Sequence, residues 1–227
     1  MKNEAFKQFH FIEELDTDTP TVELGRYASH TLLTDPRRMV FMLARYKFVS
    51  KMLAGKSNVM EVGCSDGFGS NIVKQTVQNL VITDFDKRMV DEAKKSRFNE
   101  NIKIEQFNFM HSEYKEKQDG IFLLDVLEHI EPSDEDKFVK NISSSLSKHG
   151  ICIMGMPSLE SQTYASASSK EGHVNCKSGA DFLRFTNKYF ENSFLFSMND
   201  EVVHTGFEKM AHYLLCVGVS PKLESRI

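Results

Sequence analysis

The chain has 227 residues, 41% of them hydrophobic and 26% charged, with a formal net charge of −4, which suits one globular core with a modest cap. The acidic balance, with Lys and Arg scattered among acids, excludes an extended basic face, so no nucleic-acid partner is expected. No stretch approaches the ~18 apolar residues of a membrane span, Met1 to His10 has no apolar signal-peptide core, and Cys64, Cys152, Cys176 and Cys216 form no C-x-x-C pair, so a cytoplasmic location with free thiols is expected.

Residues 1 to about 33 are polar and weakly periodic and read as a lid or edge segment. A helix follows: Asp35 caps it, Pro36 suits its first position, and Met39, Val40, Leu43, Tyr46, Val49, Met52 and Leu53 recur at helical spacing up to Gly55. From Asn58 strands and helices alternate. Asn58–Val62, Leu80–Thr83, Ile102–Phe107, Gly120–Leu124 and Gly150–Met154 read as strands. Asn71–Val77, Lys87–Phe98 with Asp86 as cap, and Ser133–Leu146 with a Ser133/Asp136 capping box read as helices. A long polar connection spans 157–178, then comes a helix over Gly179–Tyr189 and two final strands, Phe194–Ser197 and Tyr213–Val219. The alternation predicts a parallel sheet with right-handed crossovers.

The segment Val59-Met-Glu-Val-Gly-Cys-Ser-Asp-Gly-Phe-Gly-Ser70 carries the chemistry. A strand runs into Gly63, Gly67 and Gly69, and a helix start follows, so a ligand can approach the backbone closely. The order G-x-x-x-G-x-G differs from the G-x-G-x-x-G of dinucleotide sites. Glu61, two residues before the first glycine, would repel a pyrophosphate and attract a sulfonium cofactor with a free amino group, which favours S-adenosylmethionine (SAM) over NAD. Asp84 closes the next strand about 20 positions on, where a carboxylate can take both ribose hydroxyls; its other reading is a helix cap.

These residues resemble the class I SAM-dependent methyltransferases, from Val59 to Ser220 and most closely up to Pro157. Glu61, Gly63, Ser65 and Gly67 stand where that family reads E/D-x-G-x-G-x-G, with Ser65 departing from the usual glycine. The resemblance implies an α/β fold: a Rossmann-like, seven-stranded, mostly parallel sheet with helices on both faces and an antiparallel last strand. It implies SAM as cofactor, with Glu61, Gly63, Cys64, Ser65 and Gly67 at the methionine end and Asp84 on the ribose; Met89 and Ala93 follow at the family's spacing. Asn108 stands where the family carries the Asp that contacts adenine. Phe85 and Phe109 either wall the adenine or pack as core aromatics. Leu124-Asp-Val-Leu-Glu-His-Ile-Glu-Pro132 is similar to the fourth-strand motif of small-molecule methyltransferases, including ubiquinone-pathway O-methyltransferases, which puts Asp125 against the methionine or the acceptor. Phe41–Phe48 is similar to the leading helix of a bacterial subgroup, which implies that Arg45 and Tyr46 reach the cofactor carboxylate; their other reading is a surface charge and a core tyrosine.

Residues 1–55 are thus expected as lid and leading helix, and 56–227 as the catalytic core with acceptor-binding loops at 157–178 and 198–211. The candidate bases are His173, His204 and His129, since imidazole titrates near working pH; Asn175, Asn199, Asp200 and Glu201 are candidate acceptor contacts. His10, His30, His111, His149 and His212 are taken as structural or solvated. Asp125, Glu128, His129, Asp200 and His204 could gather around Mg²⁺, but no local spacing demands it and no metal is expected. The Glu171-Gly-His-Val-Asn175 loop and Met198–Ala211 resemble bacterial methyltransferases of surface-polysaccharide gene clusters, which implies a hydroxyl or amine of a small polar acceptor such as a sugar or phosphoramidate capsule precursor, and a monomer or homodimer. RNA or protein methylation, a regulatory SAM-binding domain and an NAD oxidoreductase are the alternatives.

Overall fold

The computed structural model describes residues 21–222, so the expectations for Met1 to His10 lie outside the described residues. Two helices lead in, α1 (Arg26–Thr34) and α2 (Pro36–Met52). The core then runs β1 (Asn58–Val62), α3 (Ser70–Lys74), β2 (Asn79–Asp84), α4 (Lys87–Lys95), β3 (Lys103–Gln106), β4 (Gln118–Leu124), α5 (Glu135–Ser144) and β5 (Leu146–Pro157). The C-terminal part adds α6 (Ala167–Gly172), α7 (Gly179–Thr186), β6 (Phe190–Asn199), β7 (Val202–His204) and β8 (Tyr213–Pro221).

The strands form one sheet in the order β3-β2-β1-β4-β5-β8-β6-β7. Strands β1 to β5 pair in parallel, and β8 inserts antiparallel between β5 and β6. The expected antiparallel last strand is present, but the sheet has eight strands rather than seven, because β7 pairs with β6 as a short edge hairpin. Three residues give no alternation to read, which is why β7 stayed inside the expected loop at 198–211.

Each central strand is buried on both sides, and its period-2 side chains divide between two cores. Met60, Ile121 and Leu123 point to the layer holding Phe138, Val139 and Ile142 of α5 and Phe182 and Phe185 of α7. Val59, Phe122 and Leu124 point to the layer holding Tyr46 and Val49 of α2 and Val73 of α3. Helices thus cover both faces. Asp35 and Asp86 cap α2 and α4 through the backbone N–H groups of Arg37 and Arg88. The expected Ser133 cap of α5 is not used: that helix starts at Glu135, and Asp136 instead accepts a hydrogen bond from the Tyr189 hydroxyl. The long connection after β5 is not structureless: it holds a 3₁₀ turn at Glu160–Tyr164 and α6.

The sheet order reverses between β1 and β4, where open parallel sheets leave a crevice at their carboxyl ends. The glycine loop leaves β1 there and Asp125 leaves β4 there.

Candidate active site

The glycine loop needs left-handed backbone at three positions: Gly63 (φ +78°), Ser65 (φ +52°) and Gly67 (φ +72°). A side chain at Gly63 would place its Cβ 2.4 Å from Val126 Cγ2, so β1 and the β4 turn can close the crevice only over glycine. Ser65 adopts the conformation that explains a glycine at the matching family position, at a cost of about 1–2 kcal/mol. Asp84, at the end of β2, accepts from the backbone N–H of Ser65 (3.2 Å) and of Asp86 (2.9 Å). It lies at the crevice and ties the loop to the β2 end at once. Burial raises its pKa, against the hydrogen bonds that lower it.

Glu61 is 1% exposed. Its Oε1 accepts from Tyr46 Oη at 2.7 Å and its Oε2 from Ser70 Oγ. It therefore fastens α2 and α3 beneath the loop and has no oxygen turned to the crevice. Burial lifts its pKa to about 7, against the two hydroxyls that lower it. Tyr46, likewise buried, is spent on this bond. Cys64 is buried, and burial raises its thiol pKa.

Arg45 reaches across the crevice. Its Nη1 donates to Asp125 Oδ2 at 2.6 Å and its guanidinium lies 3.7 Å from the centre of the Tyr213 ring on β8. Asp125 sits at φ +56°, held by its N–H on Gly155 O, so its carboxylate turns into the cleft. Arg45, Asp125, Asp200 and His212 line a cleft of about 700 Å³ with Thr31, Asp35, Arg37 and Arg38 of the two leading helices. Sequence reasoning treated His212 as structural; its Nδ1 accepts from Asp200 N–H at 3.4 Å on this wall. Burial lowers its pKa.

The expected adenine residues separate. Phe85 is 69% exposed beside the β2 end, whereas Phe109 is 1% exposed and packs on Phe107 and Phe138; Phe109 is a core aromatic, the second of its two readings. Asn108 Oδ1 accepts from Met110 N–H at 2.8 Å, shaping the turn after β3.

The loop residues separate too. His204 has both ring nitrogens engaged within the β6–β7 hairpin, on Asn199 Oδ1 (2.8 Å) and Gly206 N–H (3.0 Å). Asn199 also donates to Met210 O. Glu201 lies on a different groove, with Val40 and Lys47. Asn175 is buried, donates to Glu135 and anchors its loop through its N–H on Glu128 O.

His129 and His173 come together, with ring centres 5.2 Å apart. Each directs Nδ1 at a carbonyl oxygen, His129 at Gly172 O (2.8 Å) and His173 at Gln162 Oε1 (2.9 Å). Burial lowers the pKa of His173. Beside them Glu128 is fully buried, and neither carboxylate oxygen has a hydrogen-bond partner. Burial pushes its pKa to about 9. The five residues considered for Mg²⁺ do not all gather, since His204 is held in the hairpin.

Residues 60–154 match the family described as methyltransferase domain. Among solved structures, the N-methyltransferase NodS from Bradyrhizobium japonicum WM9 in complex with S-adenosyl-L-homocysteine is similar over 94% of this chain and 98% of that chain, with 17% identity and TM-score 0.61. The DhpI–SAH complex is similar over 87% and 92%, with 14% identity and TM-score 0.63. At such identities the likeness is one of fold. No curated protein sequence gives a significant match. The family match over residues 60–154 and the likeness of fold over most of the chain both lie with methyltransferases, two of them solved with S-adenosyl-L-homocysteine. Among the described residues no helix is long and apolar enough to cross a membrane.

Proposed function

We propose that the chain transfers the methyl group of SAM to a hydroxyl or amine of a small polar acceptor. The observation that carries this reading is the crevice at the sheet reversal, with the left-handed glycine loop and Asp84 on one wall and the Arg45–Asp125 pair on the other. In this reading Asp84 accepts from the ribose hydroxyls and Phe85 covers the adenine. Asp125 turns toward the methionine amino group, and Arg45 toward its carboxylate. Glu61 and Tyr46 act one layer below, by holding the loop.

The sulfonium is already activated, so the protein must align the acceptor in line with the methyl and accommodate its proton. The methyl–sulfur bond breaks as the bond to the acceptor oxygen or nitrogen forms, and S-adenosylhomocysteine leaves. The acceptor enters through the cleft bounded by Asp125, Asp200 and His212, with its nucleophile toward the His129–His173 pair. A lining of carboxylates, guanidinium and imidazole suits hydroxylated or charged acceptors, and capsule-precursor sugars and phosphoramidates are the first class to screen. The monomeric or homodimeric state and a cytoplasmic site of action belong to the same proposal.

Calorimetric titration with SAM, S-adenosylhomocysteine and NAD tests the cofactor: micromolar binding of the first two and none of NAD is expected, and binding of NAD alone would reverse the assignment. On an active acceptor, His173→Ala should slow turnover about 100-fold or more with SAM affinity unchanged. His204→Ala, whose imidazole is confined to the hairpin, should cost less than about tenfold on the same scale; the reverse ranking would move the acceptor to the β6–β7 hairpin.

A further inference from the structure

We infer that Glu128, His129 and His173 form a binding site for a divalent transition-metal ion just beyond Asp125, past the carboxyl end of β4. One donor atom from each of the three lies within 4.8 Å of the others. Two ligands on opposite sides of an ion with bonds of about 2.1 Å stand about 4.2 Å apart, so a small side-chain adjustment closes the set.

Two independent features point to a ligand. Glu128 is fully buried and both its carboxylate oxygens are without a partner. A buried carboxyl costs several kcal/mol unless something compensates it, and a helix-stabilising or surface role would leave at least one oxygen bonded or solvated. Arg45, whose charge acts on Glu128, is hydrogen-bonded to Asp125 instead. The second feature is the orientation of the imidazoles. Gly172 O and Gln162 Oε1 can only accept, so each Nδ1 carries the proton and each Nε2 keeps its lone pair. Metal-bound histidines are arranged this way, with the non-ligating ring nitrogen donating to a carbonyl or carboxylate.

The donor set selects the ion. Two imidazoles and one carboxylate disfavour Mg²⁺ and Ca²⁺, which take oxygen ligands, and suit Zn²⁺, Mn²⁺ or Co²⁺. Three protein ligands leave at least one coordination position for an acceptor oxygen. The site is assembled from the 3₁₀ turn after β4 and the residue that ends α6, so the loop after β5 must be folded for the ion to bind. This inference deepens the acceptor reading, but its test does not depend on SAM or on turnover.

The test is calorimetric titration of chelator-treated full-length protein with Zn²⁺ and with Co²⁺, in the absence of SAM, together with the visible spectrum of the Co²⁺ form. One ion per chain is expected, with Co²⁺ bands characteristic of nitrogen and oxygen ligation. Glu128→Gln and His173→Ala should each weaken binding at least 100-fold, while Gln162→Leu, which removes the oxygen that orients His173 and the amide hydrogen bond to Ser158 O, should weaken it about tenfold. Unchanged circular dichroism and SAM affinity in the variants exclude misfolding, and His173→Gln provides a milder ligand loss should Glu128→Gln not fold. Absence of one-to-one binding by the unaltered protein, or binding equally tight in Glu128→Gln and His173→Ala, overturns the inference. A protein that binds SAM but neither ion sinks the metal site alone; one that binds the ion but not SAM sinks the methyl-transfer reading alone.

Discussion

Glu61 shows how one carboxyl can serve a site it does not touch. Both its oxygens are taken by Tyr46 and Ser70, and Asp84 and Asp66 add repulsion to the burial that lifts its pKa to about 7. The folded state therefore holds this proton more tightly than the unfolded chain, where the carboxyl titrates near 4.5. Its stabilising share is complete below that value and disappears as pH rises through about 7, a loss approaching about 3 kcal/mol. Urea unfolding at pH 5 and pH 8 should show the unaltered protein losing more stability than Glu61→Gln over this interval; equal losses would mean the carboxyl is solvated in the folded state. Asp84 belongs to the same scale and to the same glycine-loop wall. Asp84→Ala removes the acceptor of Ser65 N–H and, in the proposed reading, of the ribose hydroxyls, and SAM should then bind about 100-fold more weakly, in line with the loss of charged hydrogen bonds. Undiminished affinity would show that Asp84 only shapes the loop.

Among elements, α1 is the one whose attachment is least expected. Its sequence, RYASHTLLT, buries only Ala28, so it offers periodicity nothing to find. What fixes it is a carboxylate from far along the chain: Ala28 N–H donates to Asp66 Oδ2 at 2.8 Å, so the glycine loop caps the helix laid over it. Asp66→Ala should cost about 1 kcal/mol at this cap and speed amide hydrogen exchange across 26–34 while exchange in β4 stays slow; unchanged exchange there would show the helix is held by other contacts. The elements that could be read were those with patterns of their own. β1, β2, β4 and β5 are apolar runs next to glycines or acids, and their predicted positions overlap the observed ones. The expected helix at Lys87–Phe98 ends early, at Lys95, where Ser96 turns extended and caps a separate 3₁₀ turn. The site divides in the same way. The glycine loop and Asp84 are contiguous signals, whereas Glu61 finds Tyr46 and Ser70, and His129 finds His173, only through tertiary contact. The sequence groups Glu128 and His129 among conceivable metal ligands, but alongside His204, which the hairpin holds elsewhere, and not His173, which tertiary contact brings to them.

On the scale of the molecule, ligand binding should report on the whole sheet, since the crevice joins both of its cores. At SAM concentrations about 100 times Kd the folded state gains about 2.7 kcal/mol. For a chain of this size that corresponds to a rise in Tm of roughly 5–10 °C. NAD at the same concentration should leave Tm unmoved, and an equal rise with NAD would signal a generic nucleotide cleft. The position of β8 carries a consequence for how the protein is made. Arg45 is synthesised early, and the Tyr213 ring on which it rests is synthesised late. Strand β6 leaves the ribosome before β8, yet it joins the sheet only through β8, which lies between it and β5. A growing chain can therefore complete β1 to β5 and α5 while β6 waits unpaired, a stage in which open strand edges invite misassembly. Entry of β8 fills the gap between β5 and β6 and in the same movement supplies the buried Tyr213 ring on which Arg45 rests. Completion of the sheet and the seating of Arg45 on its ring thus become a single late event, and in the proposed reading a chain short of β8 lacks the support of its cofactor cleft.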